Sequence, residues 1–132
     1  MARVIGIGGV FFKAHDAEGL RDWYRRVLGL GIEPWGGVAF KPAEASVQPG
    51  ACTVWSPFPS DTDYFAPSDK PYMVNLMVDD LDAMLARART HGVEPVKPIM
   101  DEPNGRFAHI VDPEGTTIEL WQPAHTDAEG YG

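Results

Sequence analysis

Two side chains in this sequence, His109 and Glu119, have the types and the spacing for chemistry, and a tight turn brings them together. The turn is Asp112-Pro113-Glu114-Gly115. Pro113 presets φ at the first turn position, Asp112 can bond the turn amides, and Gly115 accepts positive φ. A three-residue loop of this make-up closes Asp112 against Thr116, and pairing then runs back with a constant residue sum. His109 falls opposite Glu119, with Cβ atoms about 4.5–5.5 Å apart and Phe107 and Trp121 on the same face. A carboxylate facing an imidazole fixes its tautomer and raises its basicity, so the pair suits proton abstraction, isomerisation or hydrolysis. The same pair also suits reading the polar edge of a bound molecule, or closing a sheet with a partly buried hydrogen bond.

The elements that position this pair repeat along the chain. Residues 4–13 form a β-rich run. His15-Asp16 then caps a helix over residues 17–28, whose core face is Leu20, Trp23, Tyr24 and Val27, and Gly29 and Gly31 stop it. Strands are predicted around residues 38–41 and 51–55. The order then recurs. A strand is predicted at 72–78, and Asp79 or Asp80 caps a helix with Leu81, Met84, Leu85 and Ala88 on its core face. Gly92 ends that helix, and strands follow around 96–100, 107–111 and 116–121. This is a weak internal repeat of two β-α-β-β-β halves. It divides a single domain, residues 1–124, into module one (about 4–56), a linker (57–71) and module two (about 72–123), followed by a flexible tail over 124–132. The linker contains Pro57, Pro59, Pro67 and Pro71 beside Phe58, Tyr64 and Phe65. A segment so stiff and aromatic is predicted to pack over a pocket or a subunit partner.

Composition narrows the class. Hydrophobic residues make up 44% of the 132, and the 6 Phe, 4 Tyr and 4 Trp supply enough apolar matter for a real core. A net charge of −8 argues against nucleic acid or an anionic membrane as partner. No apolar run approaches the roughly 18 residues of a membrane span, and the N-terminus lacks the pattern of a signal peptide. The single cysteine, Cys52, fits a reducing cytoplasm and reads as a strand thiol. Gly6-Ile7-Gly8-Gly9 does not continue into a dinucleotide loop. Asp61 and Asp63 lack the remaining ligands of a cation loop.

Two groups of motifs carry a family resemblance. Phe12-Lys13-Ala14-His15-Asp16, Trp23-Tyr24 and Leu28-Gly29-Leu30 look like the first module of a vicinal-oxygen-chelate protein. Val78-Asp79-Asp80-Leu81-Asp82, Asp112-Pro113-Glu114-Gly115 and Ile118-Glu119-Leu120 look like the second. That superfamily includes glyoxalase I, extradiol dioxygenases and the bleomycin-resistance binding proteins. The resemblance implies an α+β fold in which two βαβββ modules form an incomplete barrel around a cleft, commonly within a homodimer. Metal-dependent members carry ligands on the first strand of each module and on the last strand of one or both. Carried over, those positions fall at Gly9, Met73, Thr53 and Glu119, and only Glu119 matches. Glycine has no donor, and a thioether is too soft for Mg, Mn or Fe(II). A metal-dependent glyoxalase I or dioxygenase is therefore disfavoured and no cofactor is expected, a divalent metal being the exception to test.

Strand alternation then predicts an inward set of Phe11, Lys13, Phe40, Thr53, Trp55, Met73, Asn75, Met77, His109, Glu119 and Trp121. An apolar cavity with a few polar groups is the usual make-up of a small-molecule site. Trp55 and Trp121, at corresponding places in the two modules, are expected to sandwich a flat ligand. Two functions follow. One is a metal-free protein that binds or sequesters a small organic molecule. The other is a lyase-, isomerase- or dioxygenase-type enzyme using His109 and Glu119 as an acid/base pair or a partial metal site.

Overall fold

A computed structural model describes residues 1–124, so most of the predicted tail (residues 125–132) lies outside the described residues. In chain order the elements are α1 (Ala17–Leu28), α2 (Pro42–Ala45), β1 (Val74–Met77), α3 (Leu81–Thr90), β2 (Met100–Glu102), β3 (Gly105–Val111) and β4 (Thr117–Pro123). The strands form one open sheet in the order β1-β4-β3-β2, with β1 parallel to β4 and the other pairs antiparallel.

The hairpin of β3 and β4 has the register its turn predicts. The Asp112 amide donates to the Thr116 carbonyl at 3.0 Å, the Gly115 amide to the Asp112 carbonyl at 3.0 Å, and Gly115 has φ 79°. His109 pairs with Glu119 and Phe107 with Trp121. Alternation then sorts the faces. Ala108, Ile110, Ile118 and Leu120 meet Leu81, Leu85 and Ala88 of α3 and Val27 and Leu28 of α1 in the core. His109, Glu119 and Asn75 lie on the other face.

Both long helices are capped as their sequences suggest. Asp16 accepts the Gly19 amide and Asp80 the Ala83 amide. Gly29, at φ 72°, ends α1 in the left-handed region. Arg87 of α3 reaches across to the Val27 and Arg26 carbonyls at 3.2 and 3.1 Å, satisfying the C-terminal end of α1 with a cation. At its other end α1 is tied to the turn. Glu114 accepts the amides of His15 (2.7 Å) and Asp16 (3.2 Å), and the first of these bonds is the main force holding its carboxyl below the usual carboxylate range. Asp112, buried, accepts the Tyr24 hydroxyl at 2.6 Å and the amides of Glu114 and Thr116. Burial first, then the hydrogen bond and charge of Asp112, push the Tyr24 phenol far above its ordinary value.

Three expectations are corrected. Residues 4–13, 38–41 and 51–55 form no strands, and the sheet belongs to module two alone without closing toward a barrel. β-propensity becomes a strand only where a ladder pairs it, and among the described residues these segments have no ladder. The predicted strand at 96–100 begins instead at Met100, because Pro95 and Pro98 lack the amides a ladder needs. Replacing Asp112 with Ala removes a buried acceptor of three bonds. It should lower unfolding free energy by about 2–3 kcal/mol, read from the urea midpoint, with α1 helicity lost in parallel.

Candidate binding site

Glu119 lies mid-strand on the face of the sheet away from the helices, 6% exposed. Three donors converge on its carboxylate. His109 Nε2 is 2.7 Å from Oε2, the Tyr64 hydroxyl donates to Oε2 at 2.5 Å, and Asn75 Nδ2 donates to Oε1 at 2.8 Å. Each neighbour is positioned by a different part of the fold. The hairpin register puts His109 opposite Glu119, and the parallel β1–β4 pairing puts Asn75 beside it. The linker lowers Tyr64 onto both. Burial is the largest single effect on the Glu119 carboxyl and raises its pKa. The hydrogen bonds from His109, Tyr64 and Asn75 together outweigh it and hold the pKa below the usual range.

His109 is fully buried, and among the described residues its Nδ1 has no hydrogen-bond partner. A neutral ring protonated on Nε2 donates that N–H to Glu119 in a hydrogen bond and leaves only a lone pair bare at Nδ1. The Tyr64 ring meets the imidazole edge-on, with centroids 5.0 Å apart and planes at 88°. Phe58 stacks on Tyr64 at 5.6 Å and 18°, and the Lys97 ammonium stands 4.3 Å from the Tyr64 centroid. The linker is pinned to the start of β4, where the Thr117 hydroxyl donates to the Phe65 carbonyl and Lys70 donates to the Thr116 hydroxyl.

Beside this group Phe107 and Trp121 stack with centroids 5.9 Å apart. The Trp121 indole N–H donates to the Asn104 carbonyl at 3.0 Å. Gly105, at φ 138°, permits that approach, since a Cβ there would stand 2.6 Å from the indole nitrogen and 2.2 Å from the Gln122 carbonyl oxygen. Trp121 is therefore a buried wall at 2% exposure, while Trp55 is 79% exposed. Of the predicted inward residues, His109, Glu119 and Asn75 come together, with Trp121 and Met77 on the same face and Met73 half-buried just before β1. Phe11, Lys13, Phe40, Thr53 and Trp55 are exposed and contribute nothing to the group.

Sequence reasoning missed Tyr64 and Lys97. The aromatic, proline-rich linker signalled that something would be covered, but no periodicity says which ring of an irregular loop points inward. The candidate donors are already engaged with one another in this arrangement. Both Glu119 oxygens already accept hydrogen bonds, His109 Nε2 points at the carboxylate rather than beside it, and Met73 offers only sulfur.

The described residues form an α+β fold with an open sheet, on whose outer face a buried carboxylate is answered by three hydrogen-bond donors. The chain belongs to the Glyoxalase/Bleomycin resistance protein/Dioxygenase superfamily, which it matches over residues 7–120. Among solved structures it resembles TnmS3, an antibiotic binding protein from Streptomyces sp. CB03234. That match has 24% identity, covers 92% of this chain and 100% of that one, and gives a TM-score of 0.53. A glyoxalase/bleomycin resistance protein from the same organism is 41% identical over 37% of this chain and 42% of its own, with a TM-score of 0.34. A superfamily member from Sphaerobacter thermophilus DSM 20745 is 26% identical over 37% of this chain and 40% of its own, with a TM-score of 0.34. The chain thus spans about two fifths of the length of these last two. No curated protein matches it.

A carboxyl held below its ordinary pKa stabilises the fold above that range and loses the contribution as pH falls through the folded value. Glu119→Gln should therefore melt below the wild type at pH 7. The gap should narrow as pH drops below about 4, in melting curves followed by circular dichroism.

Proposed function

We propose that this protein binds and sequesters a small organic molecule without a metal, using the face of the sheet centred on Glu119. The observation that carries this reading is the buried carboxylate itself, kept ionised by three directed donors and flanked by aromatic rings. A few polar groups fixed among apolar walls give orientation and specificity to a small ligand. Glu119, His109 and Asn75 read its polar edge, and Trp121 and Met73 border it. Family membership and the description of TnmS3 as an antibiotic binding protein support the same class of function. Among the described residues no helix is long and apolar enough to cross a membrane. A lone cysteine and a charge of −8 support a cytoplasmic protein with no nucleic-acid partner.

The binding unit is a homodimer. Val4, Phe11, Phe40 and Trp55 are 92, 93, 66 and 79% exposed on segments with the alternation of strands. Among the described residues β1 at the same time leaves one edge of the sheet without a partner. Apolar strands without a ladder and a sheet edge without a strand are complementary needs. A second copy meets both and brings Phe11, Phe40, Thr53 and Trp55 to the cleft. In sedimentation the protein should run at twice its 14.5 kDa, and Phe11→Asp with Trp55→Asp should return it to the monomer.

A second reading, as an enzyme, is favoured by one feature: the bare Nδ1 of His109 beside a 2.7 Å bond to Glu119. Calorimetry of metal-stripped protein against a panel of aromatic small molecules separates the two readings. Binding of one molecule per chain with no turnover, lost in Glu119→Ala, is the expected result. Turnover lost in His109→Gln would establish the enzyme, and an empty panel would overturn the binding role.

A further inference from the structure

Resting on the reading of this face as a binding site, we propose that Tyr64 is a resident stand-in for the ligand. The molecule bound here is then an aromatic carrying a phenolic hydroxyl, which takes Tyr64's place on Glu119.

The argument begins with access. His109 is 0% and Glu119 6% exposed, so neither meets an incoming molecule while Tyr64 covers them. When Tyr64 leaves, Glu119 Oε2 keeps His109 and Oε1 keeps Asn75, and one position on Oε2 falls bare. A buried carboxylate left short of a donor is unfavourable, so the newcomer must bring a donor to that atom, and a phenolic O–H reproduces the one Tyr64 supplies there. The remaining surroundings are those of a flat, electron-rich ring. They comprise the edge of the His109 imidazole, the face of Phe58 and the Lys97 ammonium 4.3 Å from the ring centre. An ether or a plain hydrocarbon of the same shape satisfies the walls and leaves the carboxylate wanting.

The linker is built to permit the exchange. It is tethered on the C-terminal side of Tyr64, through the Phe65 carbonyl on Thr117 and Lys70 on Thr116. On the N-terminal side residues 57–61 are exposed. The ring can swing out with the segment still anchored.

Calorimetry with 2-naphthol and 2-methoxynaphthalene, which differ in the hydroxyl hydrogen, tests this. Tyr64→Ala should bind 2-naphthol at least tenfold more tightly than the wild type does, because the internal competitor is gone. It should favour 2-naphthol over the ether by a similar factor, and adding Glu119→Ala should abolish that preference. Tyr64→Phe, which keeps the ring and loses only the hydroxyl, should gain a few-fold and serves if the alanine variant does not fold. Equal gains for both probes, or no gain in a folded variant, would overturn the proposal. If panel molecules without a hydroxyl bind the wild type while neither naphthalene gains from Tyr64→Ala, this inference falls and the binding role stands. A panel with no binder at all overturns both.

Discussion

The Asp112 carboxylate accepts hydrogen bonds from the Tyr24 hydroxyl and from the amides of Glu114 and Thr116. Through the two amides it fixes the shape of the β3–β4 turn, and through the phenol it fixes α1 to that turn. Because a strand's side chains alternate, a slip of one residue in this hairpin would send His109 and Glu119 into the helix-side core and bring Ile110 and Ile118 out. The turn is therefore as much a part of the site as the residues that face it. Glu114 adds a second tie by meeting the first amides of α1. One end of the first helix and the closed end of the β3–β4 hairpin are a single hydrogen-bonded unit.

Glu119 presents the opposite problem, since a mid-strand carboxylate at 6% exposure is unfavourable unless its charge is answered. It is answered by hydrogen-bond donors and not by an Arg or Lys ion pair. These donors keep the group ionised without fixing it to one cation, and each can be exchanged singly for a group of the same kind. A buried ion pair broken on one side would leave a bare charge.

Much of this was legible in the sequence, and the boundary of legibility has a physical cause. The His109–Glu119 pairing followed from turn chemistry and strand period, both local, and both helices were readable from caps and apolar spacing. Asn75 followed from alternation. Tyr64 did not, because its place depends on the path of an irregular linker and not on any period. Phe11, Phe40 and Trp55 carry the alternation of strands but not their pairing, since a pattern of side chains says that a segment wants a ladder and not whether its own chain supplies one. The shift of the strand at 96–100 to Met100 follows from Pro95 and Pro98, whose effect on pairing outweighs the apolar run around them.

The separations along the chain impose an order of assembly on the site. His109 lies 10 residues from Glu119, Asn75 44 and Tyr64 55. Chain closure becomes slowly more unfavourable with length, so meeting Asn75 costs about 1.3 kcal/mol more in chain entropy than meeting His109 does. The hairpin therefore comes first, joining the imidazole and carboxylate while the parallel strand is still a distant segment. Asn75 and Tyr64, at 44 and 55 residues, face nearly the same closure entropy, so both long-range donors are added to a hairpin whose own pair is already in place.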